Sequence, residues 1–351
     1  MSTELDPAWT PDEGSVTLLN ERTWLIGAIL TGVGYGVVLT LTVICLTRLL
    51  DSLRRRRGSN PKLTSFWLVY VILIFLFATM FVAGSSTMAQ YSFIDYRLFP
   101  GGPAAFEEVM FSLPVSEMGN VAFVLSNWFA DAVVVWRCLV VYQGTGVPLW
   151  FIALVPGLTY VASWVLGLLW LIQVSAPSSS PWATSTINFT QPYFWTSFSL
   201  NVFMTLAIVM RLFLFRYRIS KAMGPSYGRQ YTSIASMIVE SSLLYTSFQL
   251  LFIVPFGLNS AVQTIFIQPL SQVQVIAPLL IIFRVSSGQA WTSDTSTQIF
   301  KSREDRDVEL AQQGMKVSLP NGTHTPSTLT SQPMAFAKPR GQETITSTTS
   351  D

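Results

Sequence analysis

Seven stretches of this 351-residue chain are each long and apolar enough to cross a lipid bilayer: residues 24–50, 64–89, 118–142, 148–174, 192–215, 231–255 and 261–285. A hydrocarbon core of about 30 Å takes about 20 helical residues to span. Lipid offers no partner for free backbone N–H and C=O groups, so each stretch must close its hydrogen bonds internally as an α-helix. Membrane β-strands need only about 10 residues and alternate in polarity, unlike these stretches. The composition agrees, since 11% of residues are charged against about 25% in soluble domains. The expected fold is an all-α membrane protein, a seven-transmembrane-helix bundle.

Orientation follows from the lysines and arginines of the connections, which gather on the cytosolic side. The first connection carries Arg54, Arg55, Arg56, Arg57 and Lys62, and the fifth carries Arg216, Arg218, Lys221 and Arg229. Arg284 stands at the end of the seventh stretch, and Lys301, Arg303 and Arg306 follow in the chain beyond it. Against these, the N-terminal segment has Arg22 alone, and the second connection sets Arg97 against Asp95, Glu107 and Glu108. The N-terminus is therefore outside and the C-terminus cytosolic. The division is an extracellular segment over 1–23, a transmembrane domain over 24–287, and a Ser/Thr-rich cytosolic tail over 288–351. The tail's composition predicts disorder. No basic region precedes the first apolar run, which argues against a cleaved signal peptide. Asn188-Phe189-Thr190 is an N-glycosylation sequon on the outer side, whereas Asn321-Gly322-Thr323 falls in the cytosolic tail.

Absences narrow the chemistry. A retinal Schiff base needs a lysine in the last helix, and no lysine lies within the seven stretches. Haem or zinc held within the membrane needs histidine ligands, and the one histidine, His324, lies in the tail. Cys45 and Cys138 are the only cysteines, so there is no disulfide framework. No nucleophile–base pair is visible. The expectation is a protein that is not an enzyme, holds no cofactor or metal, and binds no nucleic acid. Its net charge of +2 reflects the loop arginines.

Charged side chains inside a membrane cost about 2.5–3.5 kcal/mol or more at the centre and mark pairs or functional sites. Asp131 and Arg137 in the third stretch, Arg211 in the fifth and Glu240 in the sixth are of this kind. At about 1.5 Å rise per residue, both arginines lie roughly 8 Å from the cytosolic end and Glu240 roughly 14 Å. Glu240 is therefore a candidate partner of Arg137 or Arg211, a latch between helices whose breaking would open a cytosolic cleft. The competing reading has both arginines reaching out to the inner headgroups. Asp131, Asn127, Asn201, Gln249, Gln272 and Gln274 form a candidate polar pocket for an external small ligand. The same residues would serve equally as hydrogen bonds between helices. Gly32 and Gly36 have small-residue spacing suited to close helix packing. Pro156, Pro255 and Pro278 are expected to kink or end their helices.

Four segments carry a resemblance. They are Ser126-Asn-Trp-Phe-Ala-Asp-Ala-Val-Val-Val-Trp-Arg-Cys-Leu-Val-Val-Tyr142, Asn201 through Arg211, Met237-Ile-Val-Glu-Ser-Ser-Leu-Leu-Tyr245, and Gln274-Val-Ile-Ala-Pro-Leu-Leu-Ile-Ile-Phe-Arg284. They resemble a seven-helix family expanded in basidiomycete fungi, over residues from about 24 to 291. The topology is similar to that of G-protein-coupled receptors. Trp136-Arg137-Cys138 stands where the rhodopsin-like class has an acidic-Arg-aromatic triplet, and helix 7 has no Asn-Pro-x-x-Tyr. The resemblance implies a receptor-like bundle. The N-out topology, the basic inner loops and the Ser/Thr-rich inner tail make the leading expectation a receptor-like sensor of an external signal that couples to a cytosolic heterotrimeric G protein, with the plasma membrane as the default location for a chain with an outer sequon. The alternative is a small-molecule transporter or channel, although residues 24–142 and 192–285 show no internal repeat.

Overall fold

A computed structural model describes residues 13–55, 61–142, 149–176, 180–182, 188–223 and 229–286. Side chains are described within these ranges except at 55, 149–153, 218–220, 222–223, 229–235, 237 and 285. The cytosolic tail, with its expected disorder and the Asn321 sequon, lies outside the described residues.

Every regular element among the described residues is helical. The elements are α1 (Ser15–Arg55), α2 (Pro61–Gln90), a π-helical turn (Tyr91–Asp95), α3 (Gly102–Val109), α4 (Pro114–Tyr142), α5 (Leu149–Ser175), α6 (Thr190–Met223), α7 (Arg229–Gly257) and α8 (Gln263–Ser286). Seven of them, all but the short α3 and the π turn, are long and apolar enough to span a bilayer. The protein is an integral, multi-pass membrane protein with a seven-helix bundle. Helix α1 begins at Ser15, ahead of the apolar stretch, with Leu18 N already bonded to Gly14 O at 3.1 Å. A helix has no reason to stop where the lipid does, because its backbone bonds continue equally well in water. Helices α5 and α8 run on through Pro156 and through Pro269 and Pro278, whereas α7 ends at Gly257, two residues after Pro255.

Two helices form the centre. The apolar windows of α8 and α4 are 72% and 56% buried, against 22–33% for the other five. Helix α4 packs on α2, α5, α6 and α8, and α8 also packs on α1, α2 and α7. The peripheral helices turn leucine, valine and phenylalanine outward, as lipid-facing surfaces do. The closest approach is that of α1 to α8. A Cβ on Gly27 would lie 2.6 Å from the carbonyl oxygen of Thr264, and one on Gly34 would lie 3.0 Å from Gln272 Cβ. Gly32 and Gly36 are exposed with no neighbour within 4 Å, so these two glycines do not make the expected close packing. The pair facing α8 is spaced by seven residues, two turns, and continues through Val38 and Cys45. Cys45 donates its thiol to Leu279 O at 3.6 Å.

The connection between α2 and α4 is itself structured. Helix α2 widens into the π turn, where Tyr96 N bonds Tyr91 O at 2.8 Å across five residues. The chain then reverses through Gly101 and Gly102 at φ of 92° and 80°, a conformation that favours glycine. Gly102 has a second reason for its identity, because a Cβ there would stand 2.7 Å from Glu21 Oε1. Pro103, with its fixed φ, opens α3 immediately afterwards. Phe106 of α3 stacks on Tyr96 at 5.4 Å between ring centroids and meets Phe99 edge-on at 5.5 Å. These aromatic contacts fasten α3 against the outer end of the bundle and turn Glu107 inward, 4% exposed.

Candidate functional site

The polar residues of the membrane interior assemble between α4, α5, α6 and α7. Asn127 and Asp131 are four apart on α4 and so lie one above the other on its face. Asn127 Nδ2 approaches Asp131 Oδ2 at 3.4 Å, and the hydroxyls of Ser163 and Ser197 reach the same oxygen at 3.5 Å. These are long, weak contacts. Shorter ones bind the network to α7, where Tyr245 donates its hydroxyl proton to Asn127 Oδ1 at 2.7 Å and receives Gln249 Nε2 at 2.8 Å. Asp131, Asn127 and Gln249 are thus joined in one hydrogen-bonded core. Each is 2% exposed or less.

The remaining members of the expected pocket lie beside that core. Asn201 Oδ1 accepts a proton from Ser242 at 3.0 Å, and Ser242 also bonds Thr205, tying α6 to α7. Gln274 Nε2 donates to Phe123 O at 2.9 Å, tying α8 to α4. Gln272 Nε2 bonds Ser271 at 3.1 Å and packs its stem against Gly34 of α1. The structure therefore uses five of these six residues as bonds between helices, while Gln272 bonds its neighbour on α8. Asp131, Asn201 and Gln274 also border a void of about 30 Å³ that Arg137 and Ser242 share.

The candidate latch residues are not brought together. Arg137 is half-buried between α4 and α8, and its Nη2 donates to Ile281 O at 3.0 Å. Arg211 lies under the rings of Tyr142 and Phe215, with its guanidinium carbon 5.7 and 4.1 Å from their centroids. Glu240 is exposed on α7. Both arginines make contacts within the protein. What Arg137 holds is the backbone of α8, three residues beyond Pro278. Asn188 acts as a cap: its Oδ1 accepts Thr190 N at 2.9 Å at the start of α6, and its Nδ2 donates to Pro181 O at 2.9 Å.

A separate cavity, of about 80 Å³, lies nearer the ends of α1, α2 and α4 that the charge bias places outside. A single water needs roughly 10–15 Å³ on this measure, so the space admits a small organic molecule. Its walls include Trp24 of α1, Phe111, Phe123 of α4, Trp170 of α5, Trp182 and Phe194 of α6. Trp182 meets Trp24 at 5.3 Å and Phe111 at 5.7 Å, both edge-on. Glu107 enters from α3. Its Oε1 accepts the Ser92 hydroxyl at 2.7 Å, and Trp24 also bonds it. Burial pushes its carboxyl up to about 8, with the bonds from Ser92 and Trp24 opposing the shift. Glu108, next to it, is raised by burial as well. Asn120 Nδ2 and Trp182 Nε1 are buried without a well-formed hydrogen bond, and only the Glu117 carboxyl, one turn earlier on α4, comes near enough to interact with Asn120.

Sequence reasoning missed Glu107, Trp24, Phe111 and Trp182 as a group. They come from three separate segments, Glu107 and Phe111 being four residues apart in one connection, and no spacing rule links the three. The one local signal was Gly-Gly-Pro before Ala104-Ala-Phe-Glu107, which marks a short helix start. Fold and site together define a polytopic seven-helix membrane protein with an aromatic outer cavity above a buried polar core. No family model and no curated protein matches the sequence.

Proposed function

We propose that the protein is a receptor-like sensor that takes a small external ligand into the outer cavity and passes its occupancy to the cytosolic side, where a heterotrimeric G protein responds. The carrying observation is the continuity of the cavity with the polar core along shared helices. Asn120 and Phe123 line the cavity, and Asn127 and Asp131 follow on the same helix. Asn120 and Asn127 are seven residues apart, about 10 Å at 1.5 Å per residue. Phe194 lines the cavity one turn before Ser197, which bonds the core. The backbone of Phe123 receives Gln274 of α8, the helix that Arg137 grips further in. Displacement of Phe123 or Phe194 by a ligand therefore bears directly on the contacts among α4, α6, α7 and α8. The proposal places the chain in the plasma membrane and gives it a binding role with no catalysis.

The test is association of the full-length chain, in solubilised membranes, with a Gα subunit, scored by its release with GTPγS. Wild type is compared with Arg137→Gln, which removes the guanidinium from Ile281 O, and with Glu240→Gln. Association that GTPγS releases, altered by the Arg137 change and not by the Glu240 change, is the expected result. No association by any form that is folded in the membrane would overturn coupling, and flux through reconstituted vesicles would then test the transporter reading.

A further inference from the structure

We propose that the outer cavity is a binding site for a small organic cation, an amine with an apolar body and an oxygen acceptor, whose ammonium sits at Glu107 among the rings of Trp24, Phe111 and Trp182. This inference rests on the receptor reading and names the ligand class of the same cavity.

Three observations carry it. Among the described residues, Glu107 is the only ionisable side chain lining the cavity, and no lysine, arginine or histidine lines it. An anion would meet a carboxyl there with no counter-charge, whereas a cation supplies the missing one. A glutamate 4% exposed is rare unless paired, and Ser92 and Trp24 give it hydrogen bonds but no charge. The second observation is the wall around it. Indole and phenyl rings attract a desolvated cation through the negative potential of their faces, and Trp does so best. Trp24, Trp182 and Phe111 form one edge-on cluster beside the carboxyl. The third is the pair of buried donors, Asn120 Nδ2 and Trp182 Nε1, which lack a well-formed bond on the same cavity wall. Asn120 is 7% exposed. Trp182 Nε1 has no acceptor among the described residues and Asn120 Nδ2 has only the nearby Glu117 carboxyl, so an oxygen on the occupant would complete their bonding.

Titratable groups around α3 are Glu13 just before α1, Glu21 and Arg22 near the start of α1, Tyr91 and Asp95 of the π turn, Tyr96 and Arg97 after it, Glu108 of α3 itself and Glu117 of α4. None of these lines the cavity. Glu107 therefore gives up its proton when the cation arrives, and binding strengthens as pH rises toward the carboxyl's value of about 8. An alkylamine stays protonated across that range, since it titrates near lysine's ~10.4.

The experiment uses the full-length chain in detergent with three probes of one shape: tyramine, its neutral counterpart tyrosol, and 4-hydroxyphenylacetate. Binding is read as the rise in thermal midpoint against probe concentration. Tyramine is expected to bind at least tenfold more tightly than tyrosol, and the acid to give no shift. Tyramine affinity is expected to rise by up to tenfold per pH unit between pH 6 and 8. Glu107→Gln, nearly isosteric with the protonated acid, is expected to abolish the preference for tyramine over tyrosol. Trp182→Phe is expected to weaken both. If Glu107→Gln fails to fold, the wild-type pH profile decides. Equal or stronger binding of tyrosol, a preference unchanged in Glu107→Gln, a flat pH profile, or no shift with any probe would each overturn the inference. Tyrosol binding alone would leave the receptor reading standing, and tyramine binding without Gα association would remove only the coupling.

Discussion

Gly27→Ala tests the packing of the bundle at its tightest point. The new methyl would lie 2.6 Å from Thr264 O, where ordinary contact begins at 3.4 Å, so α1 and α8 must part by the difference of about 0.8 Å. The obstacle is backbone, and no side-chain rotation relieves it. The shift would stretch the bond from Thr264 to Thr23, now 2.9 Å, and loosen the seat of Gln272 on Gly34. Overpacking of this kind costs about 1–3 kcal/mol, while alanine in a helix regains about 0.5–1 kcal/mol over glycine. Gly36→Ala is the control: it makes the same chemical change in the same helix with nothing within 4 Å. It should stabilise by the propensity gain alone. The two variants should then differ by about 1–3 kcal/mol, the packing term. At about 2–4 °C per kcal/mol, this separates their thermal midpoints by several degrees, measured at one scan rate because unfolding in detergent is a rate process. Equal midpoints, or a larger loss in Gly36→Ala, would refute the assigned face of α1 and the α1–α8 contact with it.

Glu107 binds its proton more tightly folded than unfolded, so between pH 5 and 8 the native state holds the proton that the unfolded chain releases. Stability should fall as pH rises through that window, by a few kcal/mol at most at 1.36 kcal/mol per unit, and Glu107→Gln should flatten the midpoint–pH curve. Tyr245→Phe removes the donor to Asn127 and the acceptor of Gln249. It should cost about 1–2 kcal/mol, and a midpoint equal to wild type would mean that the α4–α7 network does not form. Asn188→Gln lengthens the side chain that caps α6 and should cost about 1 kcal/mol.

The sequence by itself determined the number of helices, their approximate bounds and the absence of intramembrane lysine or histidine. The reason is local: every backbone group in lipid must be satisfied within its own segment, so length and apolarity suffice. Period and spacing also placed Asn127 above Asp131 on one face of α4. Only the tertiary structure decided which faces meet. The Gly32–Gly36 motif looked like the packing seam of α1, yet the seam runs through Gly27 and Gly34, because lipid and protein are equally apolar and hydropathy does not distinguish the two sides of a membrane helix. Glu240 and the two arginines all fall in the cytosolic half of their helices, but depth leaves the rotation of each helix free. Packing sends Arg137 to Ile281 O, Arg211 to two aromatic rings, and Glu240 outward. The outer cavity depends on contacts far apart in sequence: Trp24 reaches Trp182, and the fold of one connection, turned by Gly101 and Gly102, buries Glu107 among them. Such a site has no local period to announce it, since its energy resides in surfaces that exist only once the helices have assembled.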